Sequence, residues 1–545
     1  MKELLARKGL YVFCAAAILL AASFSYAQES MPANHSHVGW VAREFLEKPT
    51  SLQKGIGTLH EGVSTSSKQG QLFYDQGLAY LQSYVWIEAA RSFHQALRLD
   101  PKMSMAYVGL SYAYSPIDFG TANEALGKAE AVATGLTTRE QLRIKIRRLQ
   151  LNAMLHSVNR DAYLEFRTAL DEAIAQYPED MVFLLLRGNA QEPTPFGDGQ
   201  GCMKDAVPFY EKALQLEPGN FAAEHFLTHC YENSGRPEDS LNYAAEYVRL
   251  APAIPHAHHM YGHVLRRTKG MQQAIEEFKT ADTLERNYFR QNNFPPSIDW
   301  HYAHNLSLLA SSYQYLGQMK EAEAVYRRVL LLQVHSDYDA FNRKDWAEFL
   351  LDRERNQEAL TASQAMTKEP SPLARTAGRS LAGSAWLAMN KQNEAKSELE
   401  RADKEYSTLN TADKGSVRTY TETLRAQLLL EEGRRDEALP ILQNVAKRIA
   451  AANGPDAWIQ GVYQLERIAE SARKMGDWEV AEQFTRLLTE RAPDYPGSRL
   501  ATGLMLEHKN DSDGAQKEFA QALLGWKQAD PNLKEIQKIH EFLSK

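Results

Sequence analysis

The 545-residue chain has only three cysteines and 31 glycines, and no apolar run after residue 24 that is long enough to cross a membrane. It also lacks a basic excess. The 62 Lys+Arg against 69 Asp+Glu leave a net charge of −7, which argues against a nucleic-acid partner. There is no GxxxxGK[ST], no GxSxG and no CxxC, so phosphate-cradling, nucleophile-elbow and dithiol redox chemistries have no signature here. His225-Phe226-Leu227-Thr228-His229 has no Glu after its first histidine and is not the HExxH peptidase helix. Gly197, Gly199 and Gly201 alternate without a preceding strand, so no dinucleotide fingerprint is supported.

Lys2, Arg7 and Lys8 precede the apolar stretch 9–24, and Ser25-Tyr26-Ala27 places small residues where a signal peptidase reads. This pattern predicts a signal peptide over 1–27, an exported (periplasmic or extracellular) protein, and no membrane span after cleavage. Cys14 leaves with that segment. Cys202 and Cys230 remain, either as one disulfide in an oxidising compartment or as two small buried apolar residues. Residues 28–69 have little periodicity and read as an extended arm with one short helix near Trp40 to Leu46.

From residue 70 a helical grammar repeats. Small residues recur where the two helices of a hairpin cross, at Ala89, Ala125, Ala162, Ala206, Ser240, Ala274, Ala322, Ala359, Ala395, Ala438, Ala481 and Ala515. Aromatics follow four residues on at Phe93, Phe166, Tyr210, Phe278, Tyr326 and Phe519, and prolines stop second helices at Pro101, Pro218, Pro252 and Pro493. The period, near 34 residues, and the Gly/Tyr/Ala/Phe/Pro order resemble the tetratricopeptide-repeat family. That resemblance implies an all-α fold: an α-solenoid of about a dozen helix hairpins in a right-handed superhelix, with first helices lining a concave groove that grips a protein or peptide. We divide the repeats into an array over 70–335, which holds the His-rich groove, and one over 336–545, which ends in a capping helix. Two interruptions are expected as loops, 190–202 and 284–303. The second carries Tyr288, Phe289, Phe294 and Trp300 and is expected to pack on the array. The basic run 143–148 reads as a solvated helix face.

The chemistry-bearing feature is a histidine cluster. His225 and His229 recur 34 residues on as His259 and His263. Residues four apart share a helix face, so two stacked first helices each present two imidazoles. In the family's register these four would face the groove, with His256, His304 and Glu232 at the margin. Four such rings could converge on one Zn, Cu or Fe ion. Glu232 is a candidate base beside a metal-bound water, or simply a groove or capping carboxylate. His258 and Arg266 read as packing or rim residues. The order HxxxHxxE (His225, His229, Glu232), His-rich helix (His256, His259, His263) and His-Asn pair (His304, Asn305) is similar to a group of bacterial exported tetratricopeptide-repeat proteins, from which no activity carries over. Where that pattern has a histidine in its first hairpin, this chain has Gln82. The expected function is an exported scaffold that binds a peptide segment or a metal-linked ligand in its groove. The alternative is a metal-dependent enzyme built on the same histidines.

Overall fold

Two local devices, repeated down the chain, make the hairpins. The first is a small residue beneath a ring. A Cβ on Gly77 would lie 2.5 Å from Phe93, and one on Gly262 would lie 2.6 Å from Phe278, so only glycine lets these helices approach. All twelve candidates for the small slot of the second helix are buried, and Phe93, Tyr210 and Phe278 have no solvent exposure. Truncating such a ring to alanine costs about 3–5 kcal/mol.

The second device is the turn. In hairpin after hairpin the chain reverses through one left-handed residue, and the next N–H reaches back five residues to a helix carbonyl. Arg236 N bonds Tyr231 O at 2.9 Å, Gln318 N bonds Tyr313 O at 3.0 Å, and Asp511 N bonds Leu506 O at 2.9 Å. The left-handed slot holds Gly235, Gly317, Gly433, Gly476, Asn390 or Asn510, as steric rules require. Among the described residues two turns depart from this rule, with Tyr84 (φ 57°) and Glu354 (φ 57°) in the slot.

The computed structural model describes residues 41–156, 160–197, 199–268, 270–452 and 454–544. The expected signal peptide lies outside these residues. Among them the chain is an all-α solenoid: twelve consecutive helix hairpins run from Lys68–Leu81 to Ser512–Gly525 and end in helix Lys534–Leu543. Among the described residues no helix is long and apolar enough to cross a membrane. The arm keeps a short helix, Arg43–Leu46, and then runs back along the array, with Ala253 N bonded to Gly55 O at 2.7 Å and Ser64 N to the Glu140 carboxylate at 2.6 Å.

Three expectations need correcting or completing. Residues 284–303 are mostly helical rather than loop: helix Met271–Asn292 runs on for 22 residues, and a 3-10 turn at Pro296–Ile298 leads into Trp300–Tyr315. Its aromatics do pack on the array, since Trp300 stacks on Trp86 at 5.5 Å and Tyr288 donates to Glu88 at 2.8 Å. The run 143–148 is not a solvated face, because Arg143 is 3% and Arg147 is 1% exposed. Cys202 and Cys230 form a disulfide that ties the loop before helix Val207–Leu216 to helix Phe221–Asn233.

Among the described residues the solenoid meets itself at two closures. The first hairpin meets the fifth to seventh through Tyr84, Trp86 and the arm. The last hairpins meet the seventh and eighth, where Tyr463 donates to Ser311 O at 2.6 Å and Arg353 pairs with Glu535 at 2.6 Å. The histidines lie at the first of these closures.

Candidate metal centre

Three first helices supply the rings: Phe221–Asn233 carries His225, His229 and Glu232; Pro255–Thr268 carries His256, His259 and His263; Trp300–Tyr315 carries His301, His304 and Asn305. The expected quartet does not close on one point. The six predicted histidines form two triads, His225/His229/His256 and His259/His263/His304, and within each the ligating nitrogens lie within 4.8 Å of one another. The reason is spacing. Stacked helix axes are about 8–10 Å apart, too far for two i,i+4 rows to share one ion. Each row instead closes with a ring from the next helix, His256 in one case and His304 in the other.

Hydrogen bonds fix which nitrogens are bare. His225 Nδ1 lies 2.7 Å from the Gln82 carbonyl oxygen, which can only accept, so Nδ1 carries the proton and Nε2 presents a lone pair. That single lone pair faces two ring nitrogens, His229 Nε2 at 3.1 Å and His256 Nε2 at 3.0 Å. The second triad repeats this arrangement. Asn305 Nδ2 donates to Phe278 O at 3.0 Å, which leaves Asn305 Oδ1 to accept from His259 Nδ1 at 3.1 Å. His259 Nε2 is therefore bare, and His263 Nε2 stands 2.9 Å from it. Backing the imidazole Nδ1 with a carbonyl or amide oxygen is how proteins orient metal-ligating histidines.

Outer partners complete the set. His263 Nδ1 is 3.4 Å from Glu232 Oε1, so Glu232 sits behind His263, away from the Nε2 side. The contact is electrostatic rather than a hydrogen bond, and it lies on the Nδ1 side of the ring. His301 links the triads: its Nε2 is 2.9 Å from His256 Nδ1, its Nδ1 is 2.9 Å from Glu285 Oε1, and its ring lies 4.3 Å from that of His259. His258 stands apart, bonded to Glu277 at 2.6 Å and to Pro252 O at 3.0 Å, and Arg266 lies over Trp458 at 5.7 Å, so both are packing residues.

Burial governs the charge. It pushes every ring of the cluster below the usual histidine range, His229 and His301 to about 4, so the imidazoles are neutral and ligand-competent near neutral pH. Burial also raises the Glu232 carboxyl, opposed by Arg267 and Arg266.

The surroundings of the two triads differ. Tyr84 covers the first, its ring 4.6 Å from that of His225, 5.8 Å from that of His229 and 5.1 Å from that of His256. A tyrosine held left-handed is backbone strain placed at a site. The second is reached through His304, whose side chain is 18% exposed and lines a cleft with Asp345, Glu348, Asp352 and Asp456, of which Glu348 and Asp352 pair with Arg467 and Asp345 with Lys344.

Sequence reasoning missed His301, Glu285 and Tyr84, and it discounted the first hairpin because of Gln82. That hairpin does reach the site, through the Gln82 backbone carbonyl and the Tyr84 ring. Aligning the hairpin turns would have exposed Tyr84 as the residue standing where glycine or asparagine belongs.

Two stretches, 306–336 and 467–533, match family models described as tetratricopeptide repeat. No curated protein matches the chain. Similar solved structures include a tetratricopeptide repeat protein from Parabacteroides merdae, at 15% identity over 52% of this chain and 99% of that one with a TM-score of 0.35. Yeast Tom70 is 13% identical over 75% of this chain and 92% of its own, with a TM-score of 0.38. Twelve hairpins among the described residues and two matched stretches make this an all-α solenoid that carries tetratricopeptide repeats.

Proposed function

We propose that this scaffold is exported and carries two transition-metal ions in its groove, one in each histidine triad. The observation that carries the reading is the convergence of ring nitrogens on the bare Nε2 of His225, and of His263 on that of His259. One lone pair accepts one N–H, so a second nitrogen at 3.0–3.1 Å has no hydrogen to share. An extra proton would make a buried imidazolium, which desolvation opposes. A metal ion accepts the lone pairs of all three rings. Imidazole-only donors suit Zn, Cu, Ni and Fe rather than Mg or Ca. Three protein ligands leave a position for water or an incoming ligand, the pattern of open sites. Export is supported by the leader pattern of 1–27 and by the Cys202–Cys230 disulfide, which suits an oxidising compartment.

A second reading, metal-dependent chemistry on a groove-bound ligand, is favoured by the opening of the second triad at His304 onto the acidic cleft. The test is elemental analysis of the full chain purified from the exported fraction, before and after reconstitution with Zn(II) or Cu(II). Two equivalents per chain are expected. A folded protein that takes up no metal under either condition overturns the reading.

A further inference from the structure

Helix Thr138–Leu155 carries Arg139, Arg143 and Arg147 at four-residue intervals, a ladder down one face. The first two rungs are neutralised. Arg139 pairs with Asp180 and with Glu61, the latter at 2.8 Å, and Arg143 pairs with Glu61, which also accepts from Tyr74 at 2.6 Å. The third rung meets no carboxylate among the described residues. Arg147 donates to Ser111 O at 2.7 Å, Ser111 Oγ at 3.0 Å, Gln150 Oε1 at 2.7 Å and Ser115 Oγ, and its guanidinium lies 3.9 Å above the Tyr112 ring. Those four acceptors are all neutral, and the Tyr112 side chain is a further hydrogen-bond partner, so the five N–H donors of the guanidinium meet no anion.

Arg147 is 1% exposed. Burial lowers it to about 10, which still leaves it charged at neutral pH. A buried cation without a counter-ion is costly. Arg147 lines a cleft on the first four hairpins with Leu78, Leu81, Tyr84, Met181, Leu185 and Leu186; Glu61, paired with Arg139 and Arg143, and Glu217 lie in the same lining. An apolar cleft with a few placed polar groups is the usual form of a small-molecule site.

We propose that this cleft binds a small amphipathic carboxylate, with its carboxylate on Arg147 and its hydrocarbon body against the leucine wall. The site shares Tyr84 and Gln82 with the first histidine triad, yet it stands without metal: the unneutralised charge and the apolar wall are present in the apoprotein.

The test is isothermal titration of the metal-free full chain with decanoate, and with decanol as the neutral molecule of equal length. One saturable decanoate site is expected, with decanol at least tenfold weaker. Arg147→Gln, which keeps an amide donor and removes the charge, should erase that preference, and Arg147→Lys should restore part of it. Leu81→Trp, which fills the cleft from a half-buried position, should block decanoate with Arg147 intact. This second variant keeps the proposal testable if Arg147→Gln does not fold. Equal binding of decanoate and decanol, unchanged decanoate binding in folded Arg147→Gln or Leu81→Trp protein, or no decanoate binding to folded wild type each overturns the proposal. So does selective binding of a peptide through its C-terminal carboxylate while decanoate stays silent.

Discussion

The two histidine triads have the same donors and different covers. Each takes an i,i+4 pair from one first helix and a single ring from a neighbour, and each fixes one imidazole by giving its Nδ1 proton to an oxygen. The first lies at the closure of the solenoid on itself, beneath a tyrosine in a strained backbone conformation. The second meets solvent at His304, beside a cleft whose acidic side chains are partly paired with Arg467. Repeat geometry thus sets the ligands, while the way the superhelix returns on itself sets the access. Under the proposed reading, the first triad would hold an ion, and the second would exchange one or present it to a ligand.

The strongest challenge to this comparison is to remove a ligand from each side. His225→Ala should abolish binding at the first triad and leave one equivalent at the second; His259→Ala should do the converse. Metal stoichiometry and the electronic spectrum of the Co(II)-substituted protein read both. If either single change empties both triads, they are one unit and the comparison fails. A smaller effect is expected from Glu232→Gln, which keeps the shape but weakens the anchor behind His263. Loss of such an outer partner costs about 10- to 100-fold in metal affinity, and competition titration should place the larger part of that loss at the second triad, with a smaller part at the first, where Glu232 acts on His229. Next comes access. A soluble chelator should strip the second triad first, and Tyr84→Gly should raise extraction from the first by about tenfold or more while relieving about 1–2 kcal/mol of left-handed strain. Unchanged extraction would mean that Tyr84 does not act as a cover.

Much of this was legible in the sequence, for identifiable reasons. The alanines and rings of the repeat are spaced by helix geometry, which is local, so Ala89 with Phe93 and Ala274 with Phe278 could be read without a structure. His225, His229, His259 and His263 were legible for the same reason, because they lie in register. Long-range closure was not legible. Nothing local to Gln82 or Tyr84 says that this turn meets His225 more than 140 residues away, and nothing near Glu285 announces His301. The arginine ladder was misread because a run of cations is usually solvated; Glu61, which buries Arg143, arrives from the arm. The split of the quartet into triads depends on interhelical offset, which a repeat period does not encode.

The smallest expected effect separates the strain at Tyr84 from its ring. Glu354 occupies the same left-handed slot in a different hairpin. It holds Lys474 at 2.7 Å and Lys534 at 3.3 Å, and those cations, Lys474 first, depress its carboxyl to about 2. A depressed carboxyl contributes stability that is present above the ordinary value of 4.5 and is lost as pH falls through about 2. Glu354→Asn relieves the left-handed cost but loses two exposed pairs, each of about 0–1 kcal/mol, so the net change at neutral pH should stay within about 1 kcal/mol, a few degrees in Tm. The variant should also lose part of the wild type's acid sensitivity below pH 4.5. Both triads should keep their metal and their extraction rates. If Glu354→Asn alters extraction as Tyr84→Gly does, then turn strain transmitted through the solenoid, and not the tyrosine ring, is what separates the two triads.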